Sequence, residues 1–159
     1  FIYGSARIAK EIGSGAKSIS DFMKSFEGLA NAGDYVAFLP YFLKTDSREA
    51  MLGDWRLQVR NERKVATTLL TGPRYLHSTG QLHKGGPNSG LYIILVGNEG
   101  KQLAIPDEKF GFATLHEAQS KGDFKSLDEK GRRVILINLG NDVDKGLAKL
   151  SSLIQASNS

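Results

Sequence analysis

The sequence contains no cysteine. That excludes disulfides and thiolate metal sites, and it leans toward a reducing compartment, the cytosol. A chain of 159 residues buries roughly 70% of its unfolded surface, so it does not need such staples. Long apolar runs are missing too. The longest, LYIILV at 91–96, has strand length and falls far short of the ~20 residues of a membrane helix. No signal peptide is read at the start, because Arg7, Lys10 and Glu11 come early and no long apolar core follows. The chain begins at Phe1 without an initiator methionine, which reads as a piece of something longer. Charge of one sign does not dominate: 21 basic side chains face 17 acidic ones, net +4. A dedicated nucleic-acid binder carries a basic stripe. Here the signs are interspersed. The local excesses at 56–64 and 130–133 fall at or near helix ends, where cations suit the dipole, and read as solvated faces. Neither a nucleic acid nor a membrane is expected as a partner. There is no Walker motif, dinucleotide fingerprint or nucleophile elbow. No cofactor and no metal are expected.

Apolar periodicity organises the chain after residue 33. Residues 35–43, YVAFLPYFL, read as a strand buried on both faces, with Pro40 better suited to its end than its middle. Residues 46–64 read as a helix capped by Asp46 or Ser47, with Glu49 in its first turn. VATTLL at 65–70, LYIILV at 91–96 and VILINL at 134–139 are further strands. Residues 74–84 are helix-compatible and stop at Gly85-Gly86-Pro87-Asn88. Residues 98–111 read as a loop. Residues 112–130 read as a helix with Gly122 as a break. Asp142 caps a last helix bearing Val143, Leu147, Leu150 and Ile154 at helical spacing. Strands alternating with helices from residue 34 predict an α/β three-layer sandwich, its mostly parallel sheet of four to five strands covered on both faces. Residues 1–33 read as a helical lead-in packed on the 34–159 domain, with Ser18 or Ser20 capping a segment through about Ala32. Phe1 to Gly4, Asn158 and Ser159 read as loose ends.

Open parallel sheets bind ligands at the carboxyl ends of their strands. One connection there is chemically rich, the run from Thr71 to Asn88. If 74–84 is one helix, His77, Gln81 and Lys84 share a face at i, i+4 and i+7. Ser78 and Thr79 lie beside it. That face could bond the hydroxyls of a sugar, and Arg74 near the helix start could hold a phosphate. A histidine passes protons near neutral pH, as opening a sugar ring requires. Each residue also has an ordinary reading. His77 can be a surface residue, Lys84 a charge on the helix dipole, and the glycines a helix stop. His77 and His83, six apart, face opposite sides and make no metal pair. His116 reads as an exposed helix residue. Glu49, Glu62, Glu108, Glu117 and Glu129 read as ordinary helix or loop charges.

GPRYLHSTGQLHKGGPNSG, residues 72–90, resembles a segment near the carboxyl end of bifunctional transaldolase/glucose-6-phosphate isomerases. FGFATLHEAQSKGDFKSLDEKGRRVILINLG, residues 110–140, is similar to the same family's tail, with its Ala-Gln pair, Gly-Asp turn and Gly-Arg-Arg before the final strand. The resemblance covers roughly residues 33–150. It implies a sugar-isomerase (SIS-type) fold and a phosphosugar substrate. It also implies aldose–ketose isomerisation through ring opening and an enediol. His77 becomes the ring-opening candidate, with His83 as the alternative. Arg74, Ser78, Thr79, Gln81, His83 and Lys84 become substrate contacts. The family's run holding the base glutamate and its Phe-Asp-Gln run are absent here. The resemblance places both ahead of Phe1, in an amino-terminal remainder that would be a partner of this chain. The isolated chain is then expected to be inactive; a homodimer is compatible. A non-catalytic phosphosugar sensor and a purely structural lobe are the competing readings.

Overall fold

A computed structural model describes residues 1–13, 15–98 and 104–156. Five strands form one sheet in the order β1-β5-β4-β2-β3: β1 Ile2–Gly4, β2 Tyr35–Tyr41, β3 Ala66–Leu69, β4 Gly90–Val96 and β5 Arg133–Asn138. β2, β3, β4 and β5 pair in parallel, while β1 joins β5 antiparallel with Tyr3 opposite Leu136. Among the described residues lie six α-helices: α1 Ala6–Ile12, α2 Ile19–Gly28, α3 Asp46–Arg63, α4 Thr79–Gly85, α5 Phe112–Glu129 and α6 Val143–Ala156. The α/β sandwich expected from the order of elements is therefore observed. Residues 1–33 contribute an edge strand as well as helices. Phe1 to Gly4 are not loose, because the Phe1 amino group and carbonyl bond the backbone of Asn138. Asn158 and Ser159 lie outside the described residues.

Alternation along each strand sorts the core into two layers. Val36, Phe38, Leu91, Ile93, Leu95, Ile135 and Ile137 point to one face. There they meet Met23 and Phe26 of α2, Leu52 and Trp55 of α3, and Leu147 and Leu150 of α6. Phe38 meets the Trp55 ring edge-on, centroids 4.8 Å apart. Ala37, Leu39, Tyr41, Tyr92, Ile94, Val134 and Leu136 point to the other face, covered by α5 and the segment that carries α4. Each fully buried large side chain contributes about 1.5–3 kcal/mol. Both layers are needed because strands buried on both sides have no face to give to water.

Local chemistry sets the helix ends. Thr45, one residue before the expected cap, accepts from the Arg48 amide, and α3 stops where Lys64 turns left-handed at φ 57°. Ser18 caps α2, and Asp142 accepts from the Lys145 amide at the start of α6. α5 runs unbroken through Gly122, contrary to the expected break and the expected Gly-Asp turn. A mid-helix glycine costs about 1 kcal/mol, and burial of Ser120, Asp123 and Leu127 on one side of α5 outweighs it. Pro40 falls next to last in β2, beyond the point where β3 ends opposite Phe38.

Candidate functional site

The segment singled out by its chemistry crosses one whole face of the sheet. It leaves β3 at the carboxyl end, where the Gly72 amide bonds the Pro40 carbonyl at 2.9 Å. Gly72 is required there, since a Cβ would lie 2.5 Å from the Tyr41 ring. The Gly72–Pro73 peptide is cis. Arg74–His77 then form a single 3-10 turn, and α4 starts afresh at Thr79. The segment ends at the amino end of the strands, where the Ser89 carbonyl accepts from the Tyr35 amide.

The continuous helix expected over 74–84 is thus broken at Ser78, whose φ of −127° is not helical. A 3-10 turn advances about 120° per residue against 100° in an α-helix, so the face predicted for His77, Gln81 and Lys84 does not form. Arg74, His77, Ser78 and Gln81 are exposed and Thr79 is half-buried. Lys84 turns inward. Its Nζ donates to Asp123 Oδ1 at 2.6 Å, with the lysine side chain 28% and the aspartate 5% exposed.

Asp123 is the centre of a buried polar cluster. Its Oδ2 accepts from the hydroxyls of Tyr41 and Tyr75, which are themselves 3.0 Å apart. One carboxylate therefore joins β2, the 3-10 turn, α4 and α5. Burial, aided by the adjacent carboxylate, pushes the Tyr41 phenol far above its usual range. Burial, and then the repulsion that an ionised Tyr41 would exert, do the same for Tyr75. Both are neutral donors near pH 7. Asp123 is missed in the sequence, where Gly122-Asp123 reads as a turn; it faces inward with Ser120 and Leu127 because α5 runs unbroken.

His83 is the other inward residue of α4. Its side chain is 1% exposed. Its ring lies against Tyr92 at 4.9 Å, Tyr75 at 5.6 Å and Tyr35 at 6.0 Å between centroids. Neither ring nitrogen has a hydrogen-bond partner. Burial lowers its pKa from 6.5 to about 4, so at neutral pH the ring is uncharged. His116 is half-buried rather than exposed.

Arg132 and Arg133 correct the solvated-face reading of residues 130–133: both are buried. Arg132 donates to the carbonyls of Lys84 at 3.1 Å and Gly86 at 2.7 Å, fastening the end of α4. Arg133 starts β5 and bonds Asp34 Oδ2 at 2.9 Å and the Leu29 carbonyl at 3.0 Å. Its hydrogen bond is the main cause that holds the Asp34 carboxyl below its usual range. On the opposite face of the sheet, Glu27 accepts from Trp55 Nε1 at 2.9 Å, and burial raises its pKa. Arg48 clasps Asp144 at the start of α6 through two hydrogen bonds of 2.9 Å. Among the described residues no group of three or more His, Asp or Glu is placed to hold a metal ion. Among them, too, no helix is long and apolar enough to cross a membrane.

The arrangement can therefore offer exposed donors from Arg74 to Gln81, above a locked and electrically neutral base of Lys84, Asp123 and two phenols. A small anionic, hydroxylated ligand suits such donors. No protein-family model and no curated protein matches the chain. Among solved structures, the chain is similar to a hypothetical protein, TT0462, from Thermus thermophilus. The match has a TM-score of 0.69 at 19% identity and covers 88% of this chain. It takes in 38% of that protein, so the chain spans well under half the length of its structural neighbour. The likeness is one of fold.

Proposed function

We propose that this chain is a phosphosugar-binding domain of SIS type, the carboxyl-terminal portion of a glucose-6-phosphate isomerase of the bifunctional transaldolase kind. The observation that supports this reading is the run at 72–90. Its resemblance to that family is long, and Arg74, His77, Ser78 and Gln81 in it are each exposed. In this reading Arg74 holds the phosphate, and Ser78, Thr79 and Gln81 bond sugar hydroxyls. His77 exchanges a proton with the ring oxygen as the ring opens. His77 is preferred over His83 because His83 is buried away from any ligand in solution. Lys84 reaches a substrate only by leaving Asp123. The proton that moves between the two carbons is carried by a carboxylate in the absent portion, because Asp123 already accepts from three donors.

That same commitment of Asp123 favours the second reading, a phosphosugar sensor without catalysis. The two part when the amino-terminal remainder is restored: an isomerase then interconverts glucose and fructose 6-phosphates, and a sensor binds without turnover. The first test is an amide NMR titration of the chain with fructose 6-phosphate. Saturable shifts clustered at residues 71–88 are expected. Their absence at millimolar ligand overturns binding by this chain. If shifts appear, His77→Ala should keep the phosphate-dependent ones, and in the restored protein it should lower kcat by ~10²–10⁴-fold.

A further inference from the structure

A seven-residue helix does not hold itself together in water. α4 is such a helix, and its buried residues are Gly80 and His83. Gly80 has no side chain to anchor, so the side-chain docking of α4 on the sheet rests on the His83 ring, with Lys84 reaching Asp123 from the margin. That ring fills a cage of Tyr35 from β2, Tyr92 from β4 and Tyr75 from the 3-10 turn. Both of its nitrogens are buried without a partner. The cage suits a neutral imidazole. An imidazolium would bring two N–H donors to a place where, among the described residues, neither nitrogen has an acceptor.

The groups around the ring do not change this. Asp123 on α5 attracts a cation, but its oxygens are already taken by Tyr41, Tyr75 and Lys84. Lys84, on α4 itself, opposes a second positive charge. Arg132, just before β5, spends its guanidinium on the carbonyls of Lys84 and Gly86. The three phenols stay neutral, and the attraction of their ring faces for a cation is weaker than the hydration given up.

We propose that His83 is an acid-operated latch: neutral, it pins Thr79–Gly85 to the sheet, and protonated, it leaves the tyrosine cage and releases that segment. The release carries Thr79, Gln81 and Lys84 with it. This device stands whether or not the segment binds a phosphosugar, and no sugar enters its test.

Because burial depresses the folded pKa to about 4, the latch holds fully above the unfolded value of 6.5 and weakens as pH falls between the two. Each pH unit below 6.5 lowers the closing constant up to tenfold. The difference of 2.5 units between the two values sets a limit of about 300-fold, reached below pH 4, with about half of that present at pH 4. The test is an NMR titration of the full chain from pH 7.5 to 4, reading the imidazole signals and the hydrogen exchange of amides 82–86, corrected for intrinsic rates. His83 is expected to titrate at least one unit below the ordinary histidine value of 6.5. Protection of amides 82–86 is expected to fall in step, while β4 and β5 amides stay protected. In His83→Phe the aromatic filling remains and the acid step disappears. If that variant does not fold, the wild-type titration decides alone. Two results overturn the proposal: His83 titrating near the ordinary 6.5 while α4 stays protected, or the same loss of protection persisting in His83→Phe.

Discussion

Replacing Asp123 with leucine removes the carboxylate that Tyr41, Tyr75 and Lys84 share, at nearly constant volume. The two hydroxyls, 3.0 Å apart, can still bond each other, so one phenol proton keeps an acceptor and the other loses it. A buried donor left unmade costs about 1–3 kcal/mol, and a hydrogen bond to a charged group is worth about 1.5–3 kcal/mol. Lys84 is 28% exposed and turns to water, so its pairing adds at most about 1 kcal/mol. Leucine recovers part of this by not burying a charge. The net loss is about 3 kcal/mol. For a chain of this size, that lowers Tm by about 6–12 °C. Urea unfolding followed by the single tryptophan, Trp55, packed against Phe38, measures it. The decisive comparison is the triple variant Asp123→Leu, Tyr41→Phe, Tyr75→Phe, in which no phenol is left orphaned. It should regain most of the lost stability. A loss under 1 kcal/mol in the single variant, or no recovery in the triple one, refutes the reasoning that one carboxylate locks this layer.

Two further outcomes follow from two carboxylates of opposite kind, Glu27 buried and Asp34 half-buried. The Glu27 pKa is raised by burial, so its contribution is fully present below 4.5 and is lost as pH rises through the folded value. Glu27→Gln keeps an acceptor for Trp55 and should be about 1 kcal/mol more stable than the parent at pH 7 but equal to it at pH 4; equal stabilities at both pH values would contradict this. The Asp34 pKa is lowered, first by its hydrogen bond from Arg133, so its contribution is present above the unfolded value and lost as pH falls through the folded one. Arg133→Met should cost about 1–3 kcal/mol through its lost hydrogen bonds and remove that acid-side dependence, read as Tm against pH; an unchanged acid limb would show that the pair does not carry it.

Much of the fold was legible because it follows from nearby residues. Val36 and Phe38 alternate with Ala37 and Leu39, and Leu91 and Ile93 with Tyr92 and Ile94, so each strand announces itself within a few positions. Capping by Ser18 and Asp142 is equally local. The helix over 74–84 misled because its residues tolerate helix. The turn at Gly72-Pro73, the close approach to Tyr41 and the inward pull on Lys84 divide it at Ser78 instead. Of the candidate site, the chemical richness of residues 71–88 was readable, but not which side chains face out.

From the sequence alone come the alternation of strands and helices after residue 33 and the absence of thiol chemistry. Local periodicity and composition carry both. The tertiary structure decided which polar groups are buried. Asp123 meets Tyr41 across 82 positions, and Arg133 meets Asp34 across 99. His83 enters its cage through rings from three separate elements. Whether a charge is solvated or locked depends on partners brought by the sheet, and chain spacing does not encode that proximity.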